Sequence, residues 1–189
     1  TNSEELTQAT NMIADSLMEA INENDAIAVD ISSLKTSDEY TFKHSVDVAT
    51  ISMILAKQMK LPDNEIHDIG VSGLLHDIGR FEQLRRYNTF IDAQSVSHAA
   101  LSVAVLFDEG RIRDYLDDAG ADALLRTAVE WHSAFRLPEA LDDRTRLFCQ
   151  ILRDADKIDI LRVNVETPME EIYNVSTAAL RRSPVAPAV

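Results

Sequence analysis

Apolar residues recur at helical spacing along most of the chain, and no convincing strand pattern of alternating apolar and polar residues is found. The first run covers 6–21, with polar side chains between the apolar ones, and predicts an amphipathic N-terminal helix. Pro62 ends the second predicted helix, and Gly79 is expected to stop the third. The later runs predict helices over 46–59, 65–75, 95–108, 121–132, 144–163 and 169–181. The pattern therefore predicts an all-α helical bundle.

The length of the chain predicts one helical domain with an extension at each end. Its 189 residues, 46% of them hydrophobic, are enough to bury a core without a disulfide. We divide the chain into an N-terminal helix and linker over 1–35, a domain over 36–182 and a flexible tail over 183–189. Because Thr1 and not Met opens the sequence, the first helix is interpreted either as a linker from a further domain or as a dimerisation element, which would make the protein a homodimer.

Composition and charge narrow the class of partner. The formal charge of −14 opposes a phosphate backbone and no Lys/Arg-rich run offsets it, so polymeric nucleic acid is not expected to bind. Every apolar stretch is shorter than a membrane span, so a membrane is not expected as a partner either. Cys149 is the single cysteine and no signal-peptide pattern opens the chain, which favours a soluble cytoplasmic protein. A phosphorylated small molecule stays compatible with this charge if bound metal ions supply positive charge locally.

The placement of the histidines is the chemically informative feature. Four of the five lie in or beside predicted helices that are otherwise apolar: His44, His76, His98 and His132. His67 follows Pro62 in the first turn of its helix, where a solvated side chain is expected. A core or surface histidine satisfied by a hydrogen bond is also the commoner interpretation of any one of the four taken alone.

Two sequence motifs accompany these histidines: LLHDIGR at 74–80 and DADKID at 154–159. In their order along the chain, together with the histidines, they resemble the motifs of the HD superfamily of metal-dependent phosphohydrolases. The resemblance covers 40–162 and implies an HD-domain helical bundle with a binuclear metal centre bridged by Asp77. The ligands that it implies are His44, His76, Asp77 and Asp156, with His98 and His132 as the pair added in two-metal members.

These residue types suit the chemistry that the resemblance implies. Imidazole and carboxylate ligands favour Fe, Mn, Zn or Ni, whereas a calcium or magnesium cage is nearly all oxygen. Four neutral imidazoles and two carboxylates carry a formal charge of −2, so two divalent ions leave the site positive. We therefore expect hydrolysis of a phosphate mono- or diester by a metal-activated hydroxide, with Asp77 among the catalytic residues. The resemblance to the binuclear HD hydrolases of small nucleotides implies that the substrate is a small nucleotide.

Cations beside the centre are candidates for stabilising transition-state charge. Arg80 follows the HD turn directly and is assigned a catalytic role, with a surface ion pair to Asp77 or Glu82 as the alternative. The segment 85–90, RRYNTF, mixes cations with aromatics and is suited to gripping a nucleotide, or else is an ordinary loop.

Further candidates lie near the two distal ligands. Lys157 is assigned a catalytic role toward phosphate, with neutralisation of Asp154 and Asp159 as the alternative. Trp131 and Phe135 flank His132 and are interpreted either as pocket-lining or as core aromatics, with the core the commoner case.

The choice among HD proteins is left open by the sequence. The segment DEYTFKHSVDV at 38–48 resembles the HD-GYP subgroup, which implies a phosphodiesterase for cyclic di-GMP. That subgroup has adjacent histidines and a Gly-Tyr-Pro signature, whereas this chain has WHS at 131–133 and FRLP at 135–138. The remaining alternative is a catalytically silent HD module that serves in signalling or as a sensor.

Overall fold

Six α-helices follow one another between residues 37 and 166, the continuous part of the chain that the computed structural model describes. Residues 8, 11–16, 18–19, 168, 178 and 182 are described as well. No strand occurs among all these residues, which confirms the predicted all-α fold. The helices are α1 (Ser37–Gln58), α2 (Asp63–Leu75), α3 (Gly79–Tyr87), α4 (His98–Val103), α5 (Asp122–Trp131) and α6 (Asp143–Glu166).

Five of these helices match predicted ones with shifted ends. The largest shift is in α1, which begins at Ser37 although its apolar pattern starts only at residue 46. The run predicted over 95–108 divides into α4 and a π-helical turn, Ala104–Asp108. Of the N-terminal helix, residues 8, 11–16 and 18–19 are helical. The helix predicted over 169–181, apart from residue 178, and the tail over 183–189 lie outside the described residues.

Helix α3 was missed because its buried face carries no apolar stripe. Its buried residues are Gly79 and Gln83, so no apolar side chains recur at helical spacing in this part of the sequence. The expectation that Gly79 stops a helix is wrong, since this residue begins α3 after a three-residue turn. A Cβ atom there would lie 2.3 Å from the His98 carbonyl oxygen and 2.4 Å from the Ser102 amide nitrogen. Glycine is therefore needed for the close approach of α3 to the start of α4.

The long helices α1 and α6 pack against each other, while α2 packs on α1 and α5 on α6. Three clusters of buried apolar side chains fill the spaces between the helices. Ala14 from the N-terminal segment is fully buried in the first of them, beside Val71 and Val129. The ends of α2, α4 and α5 meet the middle of α1 and α6 at one place, and polar side chains are buried there.

Candidate metal centre

The six side chains implied as ligands come together in this buried place. None of them is more than 7% exposed. They reach it from five helices or helix ends: His44 from α1, His76 and Asp77 from the turn after α2, His98 from the start of α4, His132 from the end of α5 and Asp156 from α6. Residues that are far apart in the sequence thus share one site.

One half of the site forms around His44 and His76. The Nε2 atom of His44 lies 3.2 Å from an Asp156 carboxylate oxygen, and Nε2 of His76 lies 3.9 Å from the same oxygen. His76 Nε2 is also 3.9 Å from Oδ2 of Asp77. The two rings meet edge to face, with centroids 5.3 Å apart.

The other half forms around the pair of histidines that the resemblance adds. Oδ1 of Asp77 lies 3.4 Å from Nε2 of His98 and 3.6 Å from Nε2 of His132. Candidate ligand atoms fall into two groups within which all lie at most 4.8 Å apart, His44/His76/Asp77 and Asp77/His98/His132. Asp77 belongs to both groups, as a bridging carboxylate would.

The outward nitrogens of the rings are held by hydrogen bonds that fix the direction of the inward ones. His76 and His132 directly follow α2 and α5, and each donates from Nδ1 to the carbonyl oxygen three residues back, at 2.7 Å. Those carbonyls at a helix end have no helical partner of their own. Nδ1 of His44 donates to Asp159 at 2.7 Å, and Nδ1 of His98 to Asp92 at 2.8 Å. In all four rings Nε2 therefore faces the centre.

The inward atoms fit a metal ion better than they fit one another. His76 Nε2 and Asp77 Oδ1 are fully buried and form no hydrogen bond with any described residue. The Nε2 atoms of His98 and His132 lie 3.1 Å apart although both are acceptors when Nδ1 carries the proton. Two nitrogens bound at about 2.1 Å to one ion, and at about a right angle, lie about 3 Å apart. The donor set is also the one that Mn, Fe, Zn and Ni prefer.

Charges in the site compensate one another in the metal-free protein. Burial alone lowers the pKa of His44, but hydrogen bonds to Asp156 and Asp159 outweigh it and raise that pKa to about 9. Burial dominates for His76 and lowers its pKa to about 4. Burial works against ionisation of Asp77, yet the surrounding histidines and Arg80 hold its pKa well below the usual range. Asp77 is thus an anion over the physiological pH range.

Arg80 lies at the rim of the second half. Its Nε atom is 3.5 Å from Asp77 Oδ2, and it donates to the Phe90 carbonyl at 3.0 Å. Its side chain is 26% exposed, so it reaches both the buried acid and solvent. Of the alternative partners considered for it, Asp77 is near, whereas Glu82 binds Arg85 and Arg86.

Lys157 lies at the rim of the first half. Its Nζ donates to Oδ2 of Asp156 at 2.5 Å, and the side chain is 49% exposed. Lys157 thus neutralises an acid, but Asp156 and not the two considered: Asp154 lies 3.8 Å from Arg153, and Asp159 pairs with Arg162 and His44.

The segment 85–90 is helical in its first half, because α3 extends to Tyr87, and irregular from Asn88 onward, so the loop interpretation holds for 88–90 alone. Among the aromatic candidates, Trp131 packs partly buried against the third core cluster. Phe135 is 87% exposed, so the core interpretation is wrong for that residue. His67 is partly exposed beside Asp68 and takes no part in the metal-binding groups, as expected.

Sequence reasoning missed the residues that hold the ligands. Asp159 and Asp92 hold His44 and His98, and Gln83 in turn donates to Asp92 at 2.8 Å. Asp159 stands three residues after Asp156, hence on the same face of α6, and this spacing was a usable signal. Asp92 carries no such signal, because an irregular segment brings it back to His98.

Comparison with known proteins identifies the family. A family model described as HD domain matches residues 41–161, so the chain belongs to the HD domain family, as its motifs indicated. Cyclic di-GMP phosphodiesterase PA4108 of Pseudomonas aeruginosa is 55% identical to it over 47 residues. These residues are 25% of this chain and 11% of that protein. No solved structure matches the chain. Within its described part, no helix has the length and apolar character needed to cross a bilayer.

Proposed function

We propose that this chain is a metal-dependent phosphohydrolase that cleaves a phosphate mono- or diester of a small nucleotide. The observation that carries the proposal is the convergence of four imidazole Nε2 atoms on two buried carboxylates, with His76 Nε2 and Asp77 Oδ1 lacking a hydrogen-bond partner among the described residues. Membership of the HD domain family supports the same class of reaction.

Two divalent ions are the proposed cofactors. His44, His76 and Asp156 would hold one, His98 and His132 the other, and Asp77 both. When bound, such ions polarise phosphoryl oxygens and lower the pKa of water. The buried walls of the site limit the access of bulk solvent, which strengthens every charge interaction inside it.

The chain's own residues supply the rest of the chemistry. The six proposed ligands carry a formal charge of −2, so two bound divalent ions would make the site positive in a protein of net charge −14. Arg80 bridges between Asp77 and solvent and is the proposed phosphate-binding cation at one rim. Lys157 neutralises Asp156 at the other rim and is half-exposed, so it is the second candidate. Cations at both edges favour a substrate that presents more than one phosphate oxygen.

A cyclic dinucleotide phosphodiesterase is the second candidate function. It is favoured by the identity to the Pseudomonas aeruginosa protein, whose name states cyclic di-GMP as its substrate. The histidine pair and Gly-Tyr-Pro signature of the HD-GYP subgroup are replaced here by WHS at 131–133 and FRLP at 135–138. We therefore place small nucleotides generally ahead of cyclic di-GMP.

The test is hydrolysis by the manganese-loaded or iron-loaded protein. The substrates are a chromogenic phosphodiester, a chromogenic phosphomonoester and a panel of cyclic and linear nucleotides that includes cyclic di-GMP. We expect turnover that chelator abolishes and that is lost in His76→Ala and Asp77→Ala. Metal uptake with no turnover on any substrate would instead identify a silent sensor module. Equal metal content and equal rates in wild type and both variants would refute the proposal.

A further inference from the structure

Asp92 lies outside the two candidate metal-binding groups, but its carboxylate accepts hydrogen bonds from both the ring and the backbone of His98, a member of the second group. His98 Nδ1 donates to both carboxylate oxygens of Asp92, at 2.8 Å to Oδ2 and at 3.0 Å to Oδ1, and the His98 backbone N–H donates to Oδ1 at 3.1 Å. Its side chain is 40% exposed, in contrast to the buried ligands. The carboxylate thus fixes both the backbone position and the ring direction of His98.

A hydrogen bond from the side chain of Gln83 holds Asp92 in place. This glutamine is fully buried on α3, and its Nε2 donates to Asp92 Oδ1 at 2.8 Å and to Ser95 Oγ at 2.7 Å. Arg80 donates to its Oε1 at 3.4 Å. The buried amide therefore anchors the irregular segment that leads into α4, so the position of His98 depends on α3.

We propose that Asp92, held by Gln83, is a positioning residue that sets the ring tautomer of His98 and thereby controls metal occupancy of the second half of the centre separately from the first. This inference rests on the proposed function. The carboxylate makes Nδ1 the protonated nitrogen and leaves Nε2 as a ligand atom, a tautomer that Arg80 Nη2, 3.5 Å from Nε2, also favours. The outer partners of metal-bound histidines commonly change metal affinity roughly 10–100-fold when removed.

Replacing the carboxylate of Asp92 by the amide of asparagine changes which His98 ring nitrogen carries the proton, with almost no change in the shape of the side chain. In Asp92→Asn, the oxygen that faces Gln83 and the His98 backbone keeps both hydrogen bonds. The new NH₂ group replaces the nearer of the two acceptors of His98 Nδ1 and can only donate to that nitrogen, while the remaining oxygen lies 3.0 Å from it. The donor at the shorter contact favours Nδ1 as the acceptor, with the ring proton on Nε2, where it blocks ligation.

Asp159 offers the matched variant for the other half. It is fully buried, accepts from His44 Nδ1 at 2.7 Å through Oδ2 and binds Arg162 through Oδ1. Asp159→Asn therefore makes the same exchange at a ligand of the first half. Asp108→Asn is the neutral control, since Asp108 is exposed and pairs with Arg126.

The experiment is a manganese titration of the whole chain followed by calorimetry and elemental analysis, with long-range proton–nitrogen NMR of the histidine rings in the metal-free state. We expect two ions in wild type and in Asp108→Asn. Asp92→Asn should bind the second ion roughly 10–100-fold more weakly and keep the first, with the His98 ring proton on Nε2. Asp159→Asn should weaken the other ion. Asp92→Ala, which has no side chain to grip the ring, should repeat the loss if the asparagine variant does not fold.

Failure of this inference is distinguishable from failure of the proposed function. Wild-type affinity for both ions in Asp92→Asn, an equal loss of both ions, or an unchanged His98 tautomer would overturn the inference and leave the phosphohydrolase standing. A wild-type protein that binds one ion and hydrolyses phosphate esters would do the same. A wild-type protein that takes up no ion would overturn both.

Discussion

The Nε2 atoms of His98 and His132 lie 3.1 Å apart, and the outward hydrogen bonds of both rings aim a lone pair from each into the same space. Two acceptors at hydrogen-bond distance repel each other, although Arg80 Nη2 donates to one of them, His98 Nε2, from 3.5 Å away. A cation between them removes the repulsion. The relationship follows from where the rings are anchored, since His132 is fixed to the last turn of α5 and His98 to Asp92.

Removing one metal ligand at a time should abolish binding of one ion and leave the other ion bound. His132→Ala lacks a ligand of the second half only, so we expect it to retain one ion of two. His44→Ala should likewise retain the ion of the second half. Elemental analysis after gel filtration gives the stoichiometry. Both variants should hydrolyse a phosphodiester at least about 100-fold more slowly than wild type, because each has lost one source of transition-state charge. Loss of both ions in His132→Ala would show that the halves are not separable.

Arg80→Gln should lower kcat without lowering metal content. The guanidinium lies 3.5 Å from both Asp77 Oδ2 and His98 Nε2 but is partly exposed, and as a cation with donors only it cannot itself be a metal ligand. Loss of a single preorganised donor to transition-state charge commonly costs about 100-fold in kcat. Steady-state kinetics on metal-saturated protein measures this, with Arg111→Gln as the surface control, since Arg111 pairs with Asp114. An unchanged kcat in Arg80→Gln would show that Arg80 has a structural and not a catalytic role.

Gly79→Ala should destabilise the protein and disturb His98 together. The added methyl group would lie 2.3 Å from a backbone oxygen and 2.4 Å from a backbone nitrogen, neither of which can rotate away. Overpacking of this kind costs about 3 kcal/mol, whereas the gain in helix propensity is about 1 kcal/mol. Urea unfolding should therefore show a loss of about 2 kcal/mol, and a drop in metal content. Gly120→Ala is the control, since its methyl group meets only the exposed side chain of Asp118, at 3.2 Å. Equal stability of the two variants would contradict the packing argument.

Cys149 should react slowly with thiol reagents in the native protein. Burial raises the pKa of its thiol to about 11, from an ordinary value of 9.0. Only the thiolate reacts, so at pH 8 about one molecule in a thousand is reactive even before access is considered. Labelling with a chromogenic disulfide should be slow in buffer and immediate in urea.

The same thiol gives a pH dependence with a definite sign. Its pKa is higher in the folded state than in the unfolded state, so folding favours the protonated form. The contribution of this group is complete below about pH 9 and is lost as the pH rises toward 11. The free energy of unfolding should fall across that window. A native labelling rate equal to that in urea at pH 8 would show that the thiol is accessible and that its pKa is not raised.

The sequence was sufficient for the elements whose buried face is apolar. Helices such as α2 and α5 show the apolar period of 3.6 because their inner faces join the core. Helix α3 shows none, because it buries Gly79 and Gln83 for close packing and hydrogen bonding. The spacing of apolar residues in a sequence indicates which positions bury apolar surface, but it does not indicate where a glycine or a side-chain amide is buried.

The candidate ligands were predictable for a different reason than their supports. His76 and Asp77 stand in a short motif, and the chemistry of a metal ligand permits few residue types. The carboxylate of Asp92 is placed by the path of an irregular segment, and any acidic residue nearby would have looked the same. The roles of Arg80 and Lys157 were weighed from neighbours in sequence, whereas their actual partners were set by the turn of each helix.

The proposed metal centre can be tested by a crystal structure of the manganese-soaked protein with anomalous scattering recorded above the manganese edge. Two anomalous peaks are expected on either side of Asp77, one beside the Nε2 atoms of His44 and His76 and the other beside those of His98 and His132. Absence of anomalous density at this cluster under saturating manganese, or rings that turn Nδ1 inward, would contradict the metal centre.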